Sequence, residues 1–436
     1  VRGHAPPVAV FVASNVSPTT KICDTYVAVK LGNGSMSHDL GIMRHSSIRP
    51  LGMSAQIMSN VLLLRQLCLK YRASKINQAY ALNLGIGMTN KSYVMWNNKG
   101  GVGKSTISFH VASVYAEENP DRDVVVIDMC PQANVSMMLM GGGKEAEIKL
   151  QEFITMGTPK TVVGYITDSI TRSQTSDLGK YITKLIDVNP HVPDNLYLLS
   201  GDGNLELIAP LLSERADATP LSESDKPWID IHTIIKNLTK RQLSDRPCTY
   251  FIDTNPSFSV YTQIAILSGD YLLVPINADD SSIFAITGLF NLVWGTEKTH
   301  PVYGKYTFSS KVDGFGIDRP KIALLLGNRF TQQKGAAHAF KALSNEATKK
   351  MYEEYCKNPD RFIGTDISPK SQTEFEEVYS VELRDFNSAG VVAANQGIPM
   401  SRMDRNKYEV YGEQIQVAKE QRELCKDTIK SLVNKL

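Results

Sequence analysis

A glycine-rich stretch with two lysines, residues 99–106, has the composition of a phosphate-binding loop. It reads Lys-Gly-Gly-Val-Gly-Lys-Ser-Thr and lies between an apolar run and a helix-like run at 105–118. Glycines let backbone N–H groups turn inward around an anion, and a helix N-terminus adds its positive dipole end. Lys104 would add a charge beside the β- and γ-phosphates, and Ser105 would offer a hydroxyl to Mg²⁺. The stretch predicts a nucleoside triphosphate site of a narrower kind than the general P-loop, because Lys99 precedes the glycines.

Two aspartates end apolar runs further along the chain. Asp128 precedes Met-Cys-Pro-Gln-Ala-Asn, and Asp253 precedes Thr-Asn-Pro-Ser. A carboxylate in such a place can hold a Mg²⁺-bound water, and the Pro-Gln-Ala-Asn turn can respond to the γ-phosphate. An isolated aspartate after a strand is usually a turn or cap residue, so either one alone is a weak signal, whereas two in order after a phosphate loop are a strong one. Asn328 ends a third run and fits either an amide beside the adenine or a turn residue.

The elements that must position these residues follow an α/β pattern from residue 88 onward. Apolar runs alternate with amphipathic segments, which predicts a doubly wound, mostly parallel sheet flanked by helices on both faces. In such a sheet the ligand binds at the C-terminal edge, where both aspartates stand. The candidate strands are Tyr93–Asn97, Val124–Asp128, Leu196–Ser200, Thr249–Asp253, Tyr271–Ile276, Ile322–Asn328 and a short run near Val381–Leu383.

Helices are predicted for several segments between these strands. The long stretch 141–246 is mixed in character, and we interpret it as an elaboration of the same domain. From Asp404 to Leu436 the sequence favours one charged helix, with its apolar residues in helical spacing. The other candidate helices are Ile148–Phe153, Thr161–Ile170, Leu205–Ser213 and Asp230–Leu243.

Composition places the chain among ordinary globular proteins. It has 436 residues and a net charge of +2, so the charge of the whole chain gives no argument for a polyanionic partner. Its six cysteines are scattered without a C-x-x-C pair, which favours reduced thiols in a cytosol over disulfides or a zinc site. No apolar run in the sequence is long enough to span a membrane.

Residues 1–87 differ from the rest in charge and pattern. They contain nine basic and two acidic residues, against 38 and 43 in residues 88–436. We expect a largely disordered or non-native N-terminal extension, with Met88 as a compact natural start of the ATPase-like domain at 88–436. Two alternatives stay open. One is a DNA-binding arm or small helical domain around Ser54–Leu82, and the other is a targeting peptide.

Taken together, these motifs resemble the ParA/MinD family of deviant Walker A P-loop ATPases, most closely its plasmid and chromosome partition ATPases. The loop at 99–106 is similar to the deviant Walker A motif. The run 128–134 resembles the family's D-x-D-P-Q-x-N switch, and 253–257 resembles D-x-P-P-S. Weaker similarities lie at Leu196–Asp202, Asp270–Pro275 and Gly397–Pro399, so that the resemblance covers roughly residues 90–400.

The resemblance implies an ATP- and Mg²⁺-dependent homodimer that hydrolyses ATP. Lys99 would reach across the dimer to the partner's phosphates, while Asp128 and Asp253 would lie in the outer shell of a metal bound by Ser105. The residues implied in catalysis are Lys99, Lys104 and Asp128. Those implied in holding the metal are Ser105, Asp128 and Asp253. Those implied in nucleotide binding are Gly100, Gly101, Val102, Gly103, Lys104, Ser105, Thr106 and Asn328.

One position departs from the family pattern. The second aspartate of the switch, which positions the attacking water, falls on Cys130 in this sequence. A neutral thiol, with an ordinary pKa of about 8.5, cannot orient water or accept a proton as a carboxylate does. Three consequences stay open: another group substitutes, hydrolysis is very slow, or the protein is mainly an ATP-dependent binding switch.

The resemblance further implies a cytoplasmic, nucleoid-associated protein that binds DNA non-specifically and is released by a ParB-like, centromere-binding partner. Because residues 88–436 are slightly acidic, a DNA-binding face must be a local patch. Arg329, Lys334 and Lys341 are candidates for it, and an ordinary solvated helix face is the alternative.

Two further functions are kept as alternatives. The first is a membrane-associated positioning ATPase of the MinD kind. It would use an amphipathic tail around Ile429, Leu432, Val433 and Leu436, although this tail contains no Trp or Phe anchor. The second is an ATP-gated, non-hydrolysing DNA-binding regulator, which Cys130 and a genuine N-terminal DNA-binding domain would favour.

Overall fold

The computed structural model describes residues 9–14, 25–30, 89–171, 175–279, 281–330, 334–366 and 368–436, without the side chains of 9–14, 25–30, 329–330 and 334–341. The chain divides into two units, Val1–Ile76 and Asn77–Leu436. In the first unit, strands β1 (Ala9–Ser14) and β2 (Thr25–Lys30) pair antiparallel. The helix considered within Ser54–Leu82 lies outside the described residues, so the nature of residues 1–87 and the boundary after residue 87 stay predictions.

An eight-stranded sheet organises the second unit. Its strands are β3 (Lys91–Met95), β4 (Asp123–Met129), β5 (Thr183–Lys184), β6 (Leu196–Leu199), β7 (Cys248–Thr254), β8 (Tyr271–Asn277), β9 (Lys321–Phe330) and β10 (Ser380–Arg384). Their order is β10-β9-β8-β3-β7-β4-β6-β5, and all neighbours are parallel except β5 with β6. All seven strands predicted from the apolar runs are present, while the two-residue β5 was not predicted.

Helices cover both faces of this sheet. They are α1 (Lys104–Glu118), α2 (Asn134–Leu139), α3 (Gly143–Thr155), α4 (Val162–Ile170), α5 (Asn204–Ala216), α6 (Pro227–His232), α7 (Ile234–Thr239), α8 (Val260–Ser268), α9 (Ser281–Trp294), α10 (Phe308–Phe315), α11 (Lys334–Lys357), α12 (Gln372–Tyr379), α13 (Asn387–Gln396) and α14 (Lys419–Val433). Alternate residues of β3 enter different hydrophobic clusters. Val94 and Trp96 join one cluster, and Tyr93 and Met95 join the other. The predicted doubly wound α/β architecture is therefore confirmed.

The central strands are apolar because neither of their faces meets water. All seven residues of β4 and all seven of β7 are buried. Strands that are covered by helices on both faces lose the polar alternation of half-exposed strands and read as continuous apolar runs. For this reason the sequence revealed them without knowledge of their neighbours.

The prediction of a single helix from Asp404 to Leu436 was wrong. A hairpin of β11 (Lys407–Val410) and β12 (Glu413–Gln416) comes first, and α14 begins only at Lys419. Tyr411 and Gly412 join the two strands with φ angles of 51° and 84°. Positive φ at both central residues gives a turn whose twist matches that of a hairpin.

Two further predictions concern the helix at 230–243 and the apolar stripe of α14. The helix expected at Asp230–Leu243 is divided into α6 and α7, which meet at Thr233. In α14 the apolar stripe is buried, since Ile429 and Leu432 have no exposed surface and Val433 is 5% exposed. The stripe that could have been a membrane tail therefore packs in the core of the described domain.

Candidate functional site

The glycine loop lies between the end of β3 and the start of α1, at the C-terminal edge of the sheet. Gly101 and Gly103 have φ angles of 70° and 81°, a region that favours glycine. A Cβ on Gly103 would also stand 2.3 Å from Asn328 Nδ2. The backbone conformation favours glycine at position 103, and a side chain there would displace the Asn328 amide.

Lys104 points into its own loop. Its Nζ donates to the carbonyl oxygens of Lys99 at 2.9 Å and Asn97 at 3.2 Å, and the residue is buried. Burial lowers the pKa of Lys104, and the nearby Asp253 carboxyl opposes that shift. A buried ammonium bound only by carbonyl oxygens, beside the free N–H groups at the start of a helix, suits a phosphate chain.

Asp253, the last but one residue of β7, is bound by two hydroxyls of α1. Ser105 Oγ donates to its Oδ2 at 2.7 Å, and Ser108 Oγ donates to its Oδ1 at 2.8 Å. Its carboxyl has no exposed surface. Burial raises the pKa of Asp253, and the hydrogen bonds from Ser105 and Ser108 oppose that shift. The structure thus brings together the predicted metal residues Ser105 and Asp253.

Asp128 stands beside Asp253 on the neighbouring strand, because the two are register partners in the β4–β7 ladder. Its oxygens are bound by its own downstream loop. The Cys130 N–H donates to Oδ1 at 3.0 Å, and the Ser136 N–H and hydroxyl donate to Oδ2 at 3.1 and 2.7 Å. Burial and the adjacent Asp253 carboxylate raise the pKa of Asp128.

Two residues that the sequence did not reveal hold Asp128 in place. Ser136 Oγ, which donates to Asp128, also accepts from the Gly201 N–H at 2.9 Å. A Cβ on Gly201 would stand 2.9 Å from the Asp128 carboxyl carbon. The loop after β6 therefore packs directly on this carboxylate, which requires glycine at position 201.

Cys130 follows β4 and is 5% exposed. Burial, together with Asp128 and Asp253, raises the pKa of the Cys130 thiol to about 12. A thiol with such a pKa stays protonated at neutral pH. At the position where the resemblance expects a carboxylate, this chain thus presents a neutral side chain.

Lys99 lies outside the loop interior and forms an ion pair with Asp279. Asp279 Oδ1 also accepts from the Ser281 hydroxyl at 2.9 Å and the Ser282 N–H at 3.1 Å, at the start of α9. Partial burial acts to raise the pKa of Asp279, but the hydrogen bonds from Lys99 and the serines outweigh it and lower that pKa. The sequence did not single out Asp279, and its signal was an acidic pair just after a strand.

The predicted residues meet at one edge of the sheet. Asn328, near the end of β9, donates from Nδ2 to the Val102 carbonyl at 2.9 Å, so it borders the loop, and its predicted place beside adenine stays a prediction. Among the described residues, no three His, Cys, Asp or Glu side chains cluster as a metal cage. One hydroxyl and one or two carboxylates beside a phosphate cradle nevertheless suit Mg²⁺, which keeps much of its water and takes phosphate oxygens. The residues present therefore fit ATP with Mg²⁺.

Comparisons with known protein families give one match. Residues 90–209 match a family model described as an AAA domain. Among curated protein sequences, none matches this chain.

Several solved structures are similar to this chain. One is a variant of Cyanothece McdA in complex with ATP, with 16% identity over 79% of this chain and 97% of that one and a TM-score of 0.47. Another is a candidate plasmid partition protein from Borrelia burgdorferi B31 bound to AMPPNP, with 17% identity over 80% and 100% and a TM-score of 0.44. A third is pNOB8 ParA, with 18% identity over 67% and 81% and a TM-score of 0.43. At these identities and TM-scores, the likenesses carry no argument about activity.

Proposed function

We propose that this chain is a P-loop ATPase of the ParA/MinD type and acts as an ATP-dependent dimerisation switch that partitions DNA. In this proposal two copies pair across bound ATP and Mg²⁺ and hydrolyse the ATP slowly. The dimer binds DNA non-specifically, and a ParB-like, centromere-binding protein releases it by stimulating hydrolysis. We place this activity in the cytoplasm, on the nucleoid.

The different surroundings of two lysines carry the proposal. Lys104 is folded into its own loop and already supplies the cation that a phosphate chain needs there. Lys99 lies at the rim, with a side chain 20% exposed and paired to the 43% exposed Asp279. A second cation at the rim can serve the nucleotide of another copy, where it offsets charge that develops during phosphoryl transfer. Supplying that lysine from the other copy makes hydrolysis depend on dimerisation.

The loop residues have separate roles in this proposal. Backbone N–H groups of the loop and the start of α1 bind the phosphates, and Lys104 exchanges its two carbonyl partners for phosphate oxygens. Ser105, through its hydroxyl, and Asp253, through its carboxylate, are the residues that would hold the metal. Mg²⁺, when bound, would supply positive charge that offsets the charge developing on the transferred phosphate.

Cys130 sets the proposed rate. General base catalysis by a placed side chain contributes about 10²–10⁴-fold in typical enzymes. A protonated thiol beside two buried carboxylates supplies none of that contribution. Slow turnover suits a switch, because the bound state then persists until a partner ends it.

The proposed DNA contact rests on the resemblance and on local charge. The side chains of its candidates, Arg329, Lys334 and Lys341, lie outside the described residues, so these assignments stay proposals. A membrane role is less well supported, since the apolar face of α14 is buried. None of the helices in the described part of the chain has the length and apolar character of a membrane span.

One alternative function has a specific observation in its favour. The neutral thiol at Cys130 also suits an ATP-gated DNA-binding regulator that does not hydrolyse its nucleotide. The two functions differ in one measurable quantity, the release of phosphate by a DNA-bound dimer when a partner is added.

The test of the proposal is the mass of the protein in solution with and without ATP and Mg²⁺, measured by light scattering, together with binding to random-sequence DNA. We expect ATP to produce a dimer that binds DNA in a salt-sensitive manner and Lys99→Ala to abolish turnover. Lys311→Ala is the matched control, because Lys311 also pairs with a partly exposed aspartate, Asp217, but far from the loop in sequence.

Three results would count against the proposal. A monomer in saturating ATP would contradict the dimerisation switch. Turnover that survives Lys99→Ala would contradict the role of that lysine in the other copy. ATP-dependent binding to liposomes but not to DNA would favour the membrane alternative instead.

A further inference from the structure

A second serine of α1 touches the Asp253 carboxylate, and the phosphate-loop motif does not account for it. Ser108 is 2% exposed, and its Oγ donates to Asp253 Oδ1 at 2.8 Å. Ser105 lies three residues earlier and donates to the other oxygen, Oδ2, at 2.7 Å. Residues three apart share one face of a helix, so α1 presents both hydroxyls to a single carboxylate.

The two bonds differ in what nucleotide binding does to them. Ser105 is proposed to hold the metal through its hydroxyl, which would remove that hydroxyl from Oδ2. Ser108 lies one turn deeper, within the buried face of α1, and its bond to Oδ1 does not compete with the metal. Among the described side chains, Ser108 then remains as the hydroxyl that holds Asp253.

Asp253 needs such a hold because of its surroundings. It has no exposed surface, and its register partner on β4 is another buried carboxylate, Asp128. Like charges side by side in a low dielectric repel each other strongly. Without the Ser108 hydroxyl, the Asp253 carboxylate would keep the Thr254 N–H as a donor and would gain from rotating away from Asp128.

We infer that Ser108 is a positioning residue that keeps Asp253 oriented with Oδ2 toward the metal side of the phosphate loop. This inference rests on the proposed function, because it assigns a role within the ATP–Mg²⁺ site. Ser108 does not touch the nucleotide, and it acts only through Asp253.

Ser108→Ala separates metal binding from nucleotide binding. Without Mg²⁺, ATP affinity should stay within about twofold of wild type, because the loop and Lys104 are intact. The Mg²⁺ concentration for half-maximal tightening of ATP binding should rise about tenfold, the usual effect of losing a hydrogen bond to a charged group. Ser108→Thr keeps the hydroxyl and should restore the wild-type Mg²⁺ requirement to within about threefold.

The chain offers a matched control on the same helix. Ser113 is fully buried, and its Oγ donates to the Phe109 carbonyl at 2.8 Å rather than to a carboxylate. Ser113→Ala removes the same atom from the same helix and should leave the Mg²⁺ requirement unchanged. Any shift common to both variants reports on the helix and not on Asp253.

The measurement is the binding of a fluorescent ATP analogue to the full chain, titrated with Mg²⁺, with thermal unfolding as a check on folding. If Ser108→Ala does not fold, Ser108→Cys replaces it, and its weaker donor should raise the Mg²⁺ requirement at least about threefold. Equal Mg²⁺ requirements in the Ser108 variant and Ser113→Ala would overturn the inference while leaving the proposed function intact. A wild-type chain that binds no ATP would overturn both.

Discussion

The ends of β7 and β4 lie side by side and carry an aspartate each, yet the two aspartates are held from opposite directions. Asp253 is bound by Ser105 and Ser108, which belong to the helix that starts in the phosphate loop. Asp128 is bound by Cys130 and Ser136, which belong to the segment that follows its own strand. Aspartates at adjacent positions in one sheet are therefore hydrogen-bonded to two different segments of the chain.

This difference separates two tasks. In the proposed function, the carboxylate that is hydrogen-bonded to the helix of the phosphate loop responds directly to the binding of nucleotide and metal. The other carboxylate is hydrogen-bonded to residues 130–136. Through Ser136, that segment is also connected to Gly201 in the loop after β6. We interpret the end of β7 as the metal side of the site and the end of β4 as its switch side.

The largest expected effect comes from removing the carboxylate charge on the metal side. Asp253→Asn should lower turnover with excess Mg²⁺ about 10³-fold, because it removes the charge that holds the metal's water. Steady-state phosphate release measures it. Asp123→Asn is the control, since Asp123 is equally buried but begins β4 at the opposite edge, paired with Arg246. Similar losses in the two variants would remove the distinction.

The next effect restores a carboxylate on the switch side. Cys130→Asp should raise turnover about 10²-fold, because a carboxylate can orient the attacking water. Single-turnover hydrolysis measures the change, and Cys130→Ser is the control that stays neutral at similar size. An unchanged rate in Cys130→Asp would show that the missing carboxylate does not limit hydrolysis.

A smaller effect tests the link between Asp128 and Gly201. Ser136→Ala should lower the free energy of unfolding by about 2 kcal/mol, because it removes one of two donors to a buried carboxylate oxygen and leaves the buried Gly201 N–H without its acceptor. Urea denaturation measures it. Ser169→Ala is the control, since Ser169 Oγ donates to the Tyr165 carbonyl of its own helix at 2.7 Å and not to a carboxylate. Equal losses in the two would mean that Ser136 has no special role.

The smallest expected effect concerns the ion pair of Lys99 with Asp279 at the rim of the site. Asp279→Asn should tighten ATP-dependent dimerisation about threefold, because it frees Lys99 from a partly exposed ion pair of modest strength. Sedimentation equilibrium over a range of protein concentrations measures it. Asp313→Asn, which removes an exposed partner of Arg319, should leave dimerisation unchanged. A weaker dimer in Asp279→Asn would mean that this pair supports the active form.

The site was predictable where its residues are defined by their neighbours in sequence. Glycine spacing identifies the loop, and an aspartate at the end of an apolar run identifies a strand end. The partners were not predictable in the same way. Ser136 is 65 residues from Gly201, and Lys99 is 180 residues from Asp279. Such pairs come together only through the order of the strands in the sheet. The local patterns of one sequence do not reveal that order.

Local pattern also failed for the hairpin of β11 and β12. Residues 413–416 of β12 have no buried member, so the strand carries no apolar alternation that would distinguish it from a charged helix. The turn signal depends on Tyr411, a residue type that seldom adopts positive φ. The tertiary position of β11, whose Tyr408 and Val410 are buried, decided the outcome.

The in-register pairing of β4 with β7 also determines whether the two aspartates lie side by side. Seven consecutive residue pairs, from Asp123 with Cys248 to Met129 with Thr254, join these strands. Since side chains alternate between the faces of a strand, a slip of one residue would send one of the two aspartates to the opposite face of the sheet, away from the other. A misaligned chain would thus separate the two carboxylates, and the alignment of this one strand pair decides whether the site forms.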